Sequence, residues 1–322
     1  MKLISVLIPT YNEVENVIPI SKEIIRIFAE SLPRYQYEII FIDNCSKDRT
    51  REKILQLCLE NPSIKAIFNA KNFGQFNSPY YGLTQSTGDC AILICADFQD
   101  PVDLIPKFVA EWEAGHKVVC GIKTTSRENP IMRFLRTCYY KIIKKMSDVE
   151  QIEHFTGFGL YDKSFIDVLR NLNDPIPFLR GIVAELGANR KDIPYEQQRR
   201  RAGKTSNNWY LLYDAAMLSF TSYTKIGLRI ATITGFVFSA LSLIAVIVYL
   251  ASVFILRDWF PEGMIPVLLG VFTFGSLQLF FIGLIGEYIM SMNTRIMNRP
   301  LVLEEKRINF SEETLAGCDE EC

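Results

Sequence analysis

Short apolar runs alternate with segments of helical period along the first part of the chain, and this alternation restricts the possible folds more than any other feature. The apolar runs are Leu3–Ile8, Glu38–Ile42, Ile64–Phe68, Cys90–Cys95 and Val118–Gly121. Between the first two, apolar residues from Val14 to Phe28 recur at the spacing of an amphipathic helix, which Pro33 ends. This pattern predicts an α/β fold with a doubly wound, largely parallel sheet.

Acidic and polar residues follow three of the predicted strands. Asn12 and Glu13 follow the first, Asp43 the second and Asp97 the fourth. Because the carboxyl ends of parallel strands meet at one edge of a sheet, we expect these side chains to converge on one ligand. The hard oxygens of Asp97 suit Mg²⁺ or Mn²⁺ carrying a diphosphate. The sequence therefore predicts a metal–nucleotide site at this edge, with a simple polar turn before Pro101 as the alternative.

Composition argues against several other classes of protein. A net charge of −1 over 322 residues gives no indication of a nucleic-acid partner. The first strand is not followed by a GxGxxG motif, which weighs against a dinucleotide-binding dehydrogenase, and the chain carries no Walker A motif. The eight cysteines form no CxxC pair, and there are two histidines. A reducing cytosol therefore fits better than a disulfide framework, and a histidine-rich zinc site is not expected.

Two long stretches without a charged residue, Ile230–Leu256 and Met264–Gly286, predict a transmembrane hairpin. The first would form a helix of about 40 Å, long enough to cross a hydrocarbon core of ~30 Å with some tilt. Lysine and arginine concentrate on the flanks outside the hairpin, so both termini are expected in the cytoplasm. We therefore divide the chain into a cytoplasmic domain 1–225, a two-span anchor 226–292 and a cytoplasmic tail 293–322.

Two basic segments precede the predicted hairpin. Pro130–Lys145 reads as a basic amphipathic helix with aromatic residues, which suits a membrane surface; a helix packed on the sheet with a solvated basic face is the alternative. The second segment combines Arg199–Arg201 with Lys204, about 25 residues before the first uncharged stretch. Guanidinium groups bind phosphate through paired donors, so this segment predicts a site for a lipid phosphate, with an ordinary solvated face as the alternative.

Taken together, these features resemble the family 2 glycosyltransferases that load a sugar onto a polyprenyl phosphate, such as the bactoprenol glucosyltransferases and the dolichyl-phosphate mannose synthases. The resemblance runs from about Ile4 to Val302. Its motifs are SVLIPTYNE at Ser5–Glu13, IDNCSKDRT at Ile42–Thr50, KNFGQ at Lys71–Gln75, ADFQDP at Ala96–Pro101, FLRG at Phe178–Gly181, RRAGKTS at Arg200–Ser206 and GEYI at Gly286–Ile289, with Arg299 and Pro300 beyond.

The resemblance implies a GT-A type nucleotide-sugar domain, followed by amphipathic juxtamembrane helices and the membrane anchor. It implies nucleotide binding by residues in three of the motifs, namely Pro9, Tyr11, Glu13, Asp43 and Lys71. Asp43 matches the acid that hydrogen-bonds the base, and Asp97 matches the second acid of the Asp-x-Asp motif, which holds Mg²⁺ or Mn²⁺. The residues that match the region near the lipid phosphate are Arg200, Arg201, Lys204 and Ser206.

The sequence departs from the family pattern at three places. Asp43 is followed by Asn-Cys-Ser where the family has Asp-Gly-Ser, and Cys95 stands in place of the first acid of Asp-x-Asp. The family motif Gly-Asp-Phe-Arg-Leu aligns with Thr156–Leu160, so that Gly157 and Gly159 replace the aspartate that matches the catalytic base and the arginine.

An acceptor phosphate that is already ionised needs little help from a base. Positioning of the substrates and neutralisation of charge would then provide most of the rate enhancement. Glu185 or Asp162 is a candidate displaced base, with His154 as a weaker one.

These features predict an inverting sugar transfer from a nucleotide-diphospho-sugar to a polyprenyl phosphate, catalysed with Asp97 at the cytoplasmic face of the membrane, for cell-envelope polysaccharide. Relatives also suggest self-association. One alternative is a glycosyltransferase that acts on another lipid or on a glycan. The other is a catalytically silent membrane protein that binds nucleotide sugar, which Cys95 and Gly157 keep open.

Overall fold

The structure is a computed structural model of the chain. It describes residues 1–125, 152–172, 174–175, 177–202 and 299–310, the backbone of 264–297, and a few residues between 217 and 244. The chain forms two compact units: the first comprises residues 1–140, 149–208 and 297–322, and the second comprises residues 141–148 and 209–296.

The first unit is built on a mixed, largely parallel sheet, to which the described residues contribute eight strands. Their bounds are β1 Leu3–Thr10, β2 Gln36–Asp43, β3 Ile64–Asn69, β4 Cys90–Leu93, β5 Val118–Thr125, β6 Phe155–Asp162, β7 Arg190–Glu196 and β8 Glu304–Ile308. The order across the sheet is β7-β5-β6-β4-β1-β2-β3-β8. β1 pairs in parallel with β2 and β4, β2 with β3, and β5 with β7. β6 is antiparallel to both β4 and β5, and β8 is antiparallel to β3.

Helices cover both faces of this sheet. Their bounds are α1 Val17–Ser31, α2 Thr50–Glu60, α3 Gly74–Thr84, α4 Ile105–Glu113, α5 Lys163–Leu172 and α6 Leu179–Leu186, with a short 3₁₀ turn at Val102–Leu104. The central strands are apolar on both sides because both sides are covered. In β1, Val6 joins the core with α1, α2 and α4, whereas Leu7 joins the core with α3, α5 and α6.

The core side of α1 shows why this segment folds as a helix. Val17, Ile20, Ile24, Ile27 and Phe28 are buried, and their spacing of three and four residues places them on one face. Burying each of these large side chains contributes about 1.5–3 kcal/mol relative to leaving it in water.

The five strands predicted from the apolar runs are confirmed, and three further strands were not predicted. β6 and β7 complete the sheet on one side of β4, and β8 covers β3 on the other. β8 falls within residues 293–322, which the sequence predicted as a C-terminal tail. It pairs with β3, from Ala66 opposite Ile308 to Asn69 opposite Glu304.

The second unit contains α7, Met264–Ile296, which includes the second predicted membrane span. Among the residues that the structure describes, no helix is long and apolar enough to cross a membrane. The predicted basic helix at 130–145 lies outside the described residues, as does more than half of the first predicted span, 230–256.

Candidate active site

The site forms where the loops after β1 and β4 meet the segment after β7. Glu13 lies in the first loop, Asp97 in the second, and Arg200 four residues beyond the end of β7. The Arg200 guanidinium hydrogen-bonds the Glu13 carboxylate through Nη2. Its Nη1 lies 3.7 Å from Asp97 Oδ2. One arginine therefore bridges two of the acids that the sequence predicted to converge.

Glu13 is held by several partners. Its side chain is 9% exposed, its Oε2 accepts a hydrogen bond of 2.6 Å from Asn16 Nδ2, and its backbone N–H donates to Thr50 Oγ1 at 2.9 Å. Burial raises the pKa of Glu13, and the negative charge of Asp97 acts in the same direction, whereas Asn16 and Arg200 act against it. The ionised form of Glu13 therefore depends on Arg200 and Asn16.

Three hydrogen bonds join the loop after β4 to the segment that carries Arg200. The Arg201 N–H donates to the Asp97 carbonyl at 3.2 Å, and the Gln198 N–H donates to the Gln99 carbonyl at 3.1 Å. Next to them, Tyr195 Oη donates to Asp100 Oδ1 at 2.6 Å. Asp97 and Arg200 thus belong to two segments that are linked along their length.

A second cluster lies at the end of β2. The Asp43 side chain is fully buried and accepts hydrogen bonds from the Ser46 N–H at 3.0 Å and from Arg51 Nε at 2.7 Å. Arg51 also binds the Asn69 carbonyl and Glu305 of the C-terminal strand. Asp43 is therefore engaged within the protein, and Arg51, which the sequence did not single out, connects it to β8.

The loop after β3 is organised by Asn44. Its Oδ1 accepts from the Phe73 N–H at 2.8 Å, and its Nδ2 donates to the Gly74 carbonyl at 3.0 Å. This loop carries Lys71, which is exposed and stacks its ammonium over Phe73 at 5.1 Å from the ring centroid. Asn44 stands where the family pattern has a second aspartate, and here its amide fixes the neighbouring loop.

Left-handed backbone occurs in each of three loops at this edge, at Asn12, Cys45 and Phe98, with φ of 57°, 64° and 59°. Such conformations in non-glycine residues cost on the order of 1 kcal/mol and cluster at functional sites. Pro9 lies opposite Ile42 near the end of β1, and Tyr11 begins the loop that follows.

Residues 5–169 match the family described as glycosyl transferase family 2. The bactoprenol glucosyl transferase of Shigella phage SfX is 30% identical over 94% of this chain and 99% of its own length. The chain belongs to glycosyl transferase family 2. It is a glycosyltransferase and, by homology, a hexosyltransferase.

Two further matches were found, one to a curated protein and one to a solved structure. The prophage bactoprenol glucosyl transferase homolog of Escherichia coli K12 is 30% identical over 92% of this chain and 96% of its own length. Among solved structures, the chain aligns with the mannosyltransferase PcManGT from Pyrobaculum calidifontis in complex with GDP-Man and Mn²⁺. That alignment has a TM-score of 0.43 and 17% identity, and covers 68% of this chain and 61% of the other.

In this family 2 glycosyltransferase, the backbone at two positions of β6 is committed to glycine. Gly157 has φ of +101°, which strains any residue with a side chain. A Cβ at Gly159 would lie 2.4 Å from the Val119 carbonyl oxygen. The aspartate and arginine of the family motif therefore do not fit this backbone, and position 157 supplies no base.

The described residues fit a divalent ion only in a site that substrate completes. No group of three or more histidine, cysteine, aspartate or glutamate side chains among them is arranged to hold a metal. The Asp97 and Glu13 carboxylates nevertheless contact the same cation, the Arg200 guanidinium, so they lie close together. Mg²⁺ sites commonly use one or two carboxylates together with substrate phosphates, and these hard oxygens match that donor set.

The two candidate bases, Asp162 and Glu185, stay predictions, and the structure describes where each of them lies. Asp162 pairs with Cys90 at the start of β4, whereas Asp97 follows the end of β4. The two carboxylates therefore lie at opposite ends of the strands. Glu185 is exposed near the end of α6. Four residues later, the Asn189 carbonyl accepts a hydrogen bond from the Lys117 N–H, at the same end of the strands as Asp162. Among the contacts of the described residues, neither carboxylate bonds Glu13, Asp97 or Arg200.

Asp162 instead stabilises the fold. It accepts hydrogen bonds from Trp112 Nε1 at 2.8 Å and Lys117 Nζ at 3.0 Å, and from the Ser164 hydroxyl. Burial acts to raise the pKa of Asp162, but the hydrogen bonds from Ser164, Trp112 and Lys117 prevail and lower it to about 2.

We therefore expect Asp162→Asn to lower the free energy of unfolding by about 2 kcal/mol at neutral pH. A carboxyl with a lowered pKa stabilises the fold above the pKa of the unfolded chain, so the difference should shrink as the pH falls from about 5 towards 2. Thermal unfolding across this pH range measures the effect. Asp167→Asn, which removes an exposed carboxylate paired with Arg170, serves as the control. A difference between wild type and Asp162→Asn that does not change with pH would contradict this role.

Of the other residues predicted to bind the lipid phosphate, the structure describes one. Arg201 is exposed and places its guanidinium over Phe98, 5.2 Å from the ring centroid. Lys204 and Ser206 lie outside the described residues. Sequence reasoning missed Asn16, Arg51 and Tyr195; only the position of Tyr195 directly before the basic segment gave any signal.

Proposed function

We propose that this enzyme transfers a sugar from a nucleotide-diphospho-sugar to a polyprenyl phosphate at the cytoplasmic face of a membrane, with inversion at the anomeric carbon. The observation that carries the proposal is the match over 94% of the chain to a bactoprenol glucosyl transferase, which includes both the first unit and the uncharged stretches. The cluster of Glu13, Asp97 and Arg200 supports it, because these charged groups could bind the donor and the acceptor.

In this proposal Asp97 serves the donor, and two arginines serve the acceptor. Asp97 helps to hold the donor diphosphate through a divalent ion, Mg²⁺ or Mn²⁺, which would neutralise charge on the leaving group. Arg200 and Arg201 attract the anionic acceptor and hold its oxygen in line with the sugar. The two glycines of β6 are compatible with this acceptor, because a phosphate monoester is ionised near neutral pH and requires no base at position 157.

The membrane location is part of the same proposal. The two uncharged stretches support an anchor of two spans, and the cations on their outer flanks support a cytoplasmic position for the catalytic unit and for both termini. A lipid-linked acceptor would then lie in the same membrane that anchors the catalytic unit.

The acceptor is tested with the full-length, detergent-solubilised protein. Radiolabelled UDP-glucose, UDP-galactose, UDP-N-acetylglucosamine and GDP-mannose are each incubated with the protein and Mg²⁺ or Mn²⁺, with and without undecaprenyl phosphate. We expect one donor to give a labelled product that extracts into organic solvent only when the lipid phosphate is present. Label that enters another lipid or a glycan without undecaprenyl phosphate would contradict the assigned acceptor.

A second candidate function is favoured by Cys95, which replaces the first acid of Asp-x-Asp and leaves one acid in the motif. In this alternative the chain binds nucleotide sugar but does not turn it over. Calorimetry separates the two: nucleotide binding at micromolar concentration without turnover on any acceptor supports a silent binding protein.

A further inference from the structure

We propose that Tyr195 is a positioning residue for the donor site, which it serves by clamping the loop that carries Asp97 to the segment that carries Arg200. This inference rests on the proposed function, because it assigns the donor diphosphate to the edge where Asp97 lies. Tyr195 itself touches neither acid of the Glu13–Asp97 pair; its hydroxyl donates to Asp100 Oδ1 at 2.6 Å.

The clamp has a buried end and an exposed end. Asp100 is 4% exposed and Tyr195 is 5% exposed. Beyond them, two backbone hydrogen bonds continue the contact towards the surface, from Gln198 to Gln99 and from Arg201 to Asp97. The buried pair therefore fixes the register in which the two exposed segments meet.

The ring of Tyr195 is held independently of its hydroxyl. It packs edge-on against Phe158, with ring centroids 5.4 Å apart, and Phe158 in turn packs against Phe108 at 4.9 Å. Because the ring keeps these contacts without its hydroxyl, Tyr195→Phe removes the hydrogen bond and little else. The Asp100 carboxylate would then be buried without its closest donor, which favours movement of the loop towards water.

The environment of Asp100 agrees with this role. Burial raises the pKa of Asp100, and the negative charge of Asp97 adds to the rise, whereas Tyr195, Lys123 and the Cys95 N–H act against it. Facing Asp100 from β7 and β5 are therefore one hydroxyl and one cation, and the loop itself contributes a second carboxylate. An Asp100 that loses Tyr195 has a weaker hold on the position in which Asp97 faces Arg200.

Calorimetric titration of the full-length protein with UDP or GDP in the presence of Mn²⁺ tests the clamp without requiring turnover. We expect Tyr195→Phe to weaken the binding of the Mn²⁺–nucleotide by about tenfold, because the loop that presents Asp97 is no longer fixed. Asp100→Asn keeps an oxygen that accepts from Tyr195 and should stay within about threefold of wild type, whereas Asp100→Leu should behave like Tyr195→Phe.

Tyr80→Phe is the matched control. Tyr80 is also buried, and its hydroxyl donates to the Leu169 carbonyl at 2.7 Å, on the other face of the sheet. Both variants lose one buried tyrosine hydrogen bond, so a purely structural role would lower their melting temperatures alike and leave binding alike. Tyr195→Phe that binds as tightly as Tyr80→Phe overturns the clamp alone. Wild-type protein that binds neither Mn²⁺–UDP nor Mn²⁺–GDP overturns the proposed donor site, and the clamp with it.

Discussion

Asp97→Asn is expected to lower sugar transfer by at least about a thousandfold, which corresponds to about 4 kcal/mol of transition-state stabilisation. Asp97 is the one acid left in the Asp-x-Asp motif, and its side chain is 13% exposed and faces Arg200. The substitution keeps the shape of the side chain and removes its charge, so the hold on the donor diphosphate is lost. Initial rates at saturating donor and acceptor measure the effect.

The fold should survive this change. Arg200 keeps its contact with Glu13, and the Asp97 carbonyl still accepts from the Arg201 N–H. Asp103→Asn is the matched control, because Asp103 lies six residues further along and its side chain is 78% exposed. We expect it to retain the wild-type rate. Equal rates for Asp97→Asn and Asp103→Asn would remove Asp97 from the catalytic site.

The central strands were predictable because they are covered on both faces. Ile4, Val6, Leu7 and Ile8 of β1 are fully buried, and such strands read as continuous apolar runs. The other strands lack this signal for different reasons. β8 has the sequence EEKRI at an edge of the sheet, and β6 contains Gly157 and Gly159, which pack tightly or take unusual backbone angles but add no hydrophobic side chain. Their positions depend on partners elsewhere in the chain.

The site was predictable only as far as strand ends define it. Glu13 and Asp97 follow apolar runs, and the sheet does bring them to one arginine. Their partners are distant in sequence: Arg200 is separated from Glu13 by nearly the whole unit, and Glu305 reaches Arg51 from the C-terminal strand. The basic segment indicated phosphate binding, but composition alone did not indicate that Arg200 would pair with the acids of the proposed donor site.

Arg200→Gln is the second change for which we expect a large effect, namely a loss of transfer of about a hundredfold or more together with reduced stability. Removing the guanidinium leaves Glu13 buried beside Asp97 without its cationic partner. Breaking a buried ion pair by removing one partner typically costs 3–5 kcal/mol, and since the Arg200 side chain is 23% exposed we expect about 2–3 kcal/mol here.

The pH dependence of Arg200→Gln has a definite sign. Burial already raises the pKa of Glu13, and Arg200 opposes that rise, so its removal should raise the pKa further. A carboxyl whose pKa is higher in the folded than in the unfolded chain binds its proton more tightly when folded, and its ionisation destabilises the fold as the pH rises. Relative to wild type, Arg200→Gln should therefore be least stable at neutral and alkaline pH, and should recover as the pH falls. Thermal unfolding between pH 5 and pH 8 measures this difference.

A double variant separates the structural effect of Arg200 from its chemical effect. In Glu13→Gln with Arg200→Gln, the buried charge and its partner are both replaced by amides, and the Asn16 Nδ2 donor can still bond the new side-chain oxygen. We expect the double variant to regain most of the stability lost by Arg200→Gln, because no ionised carboxylate is left buried at position 13. Transfer should remain at the level of the single variant, since the cation proposed to bind the anionic acceptor is still missing. If transfer returned along with stability, Arg200 would act only by neutralising Glu13, and the acceptor phosphate would have to be held by other cations of the segment, such as Arg201.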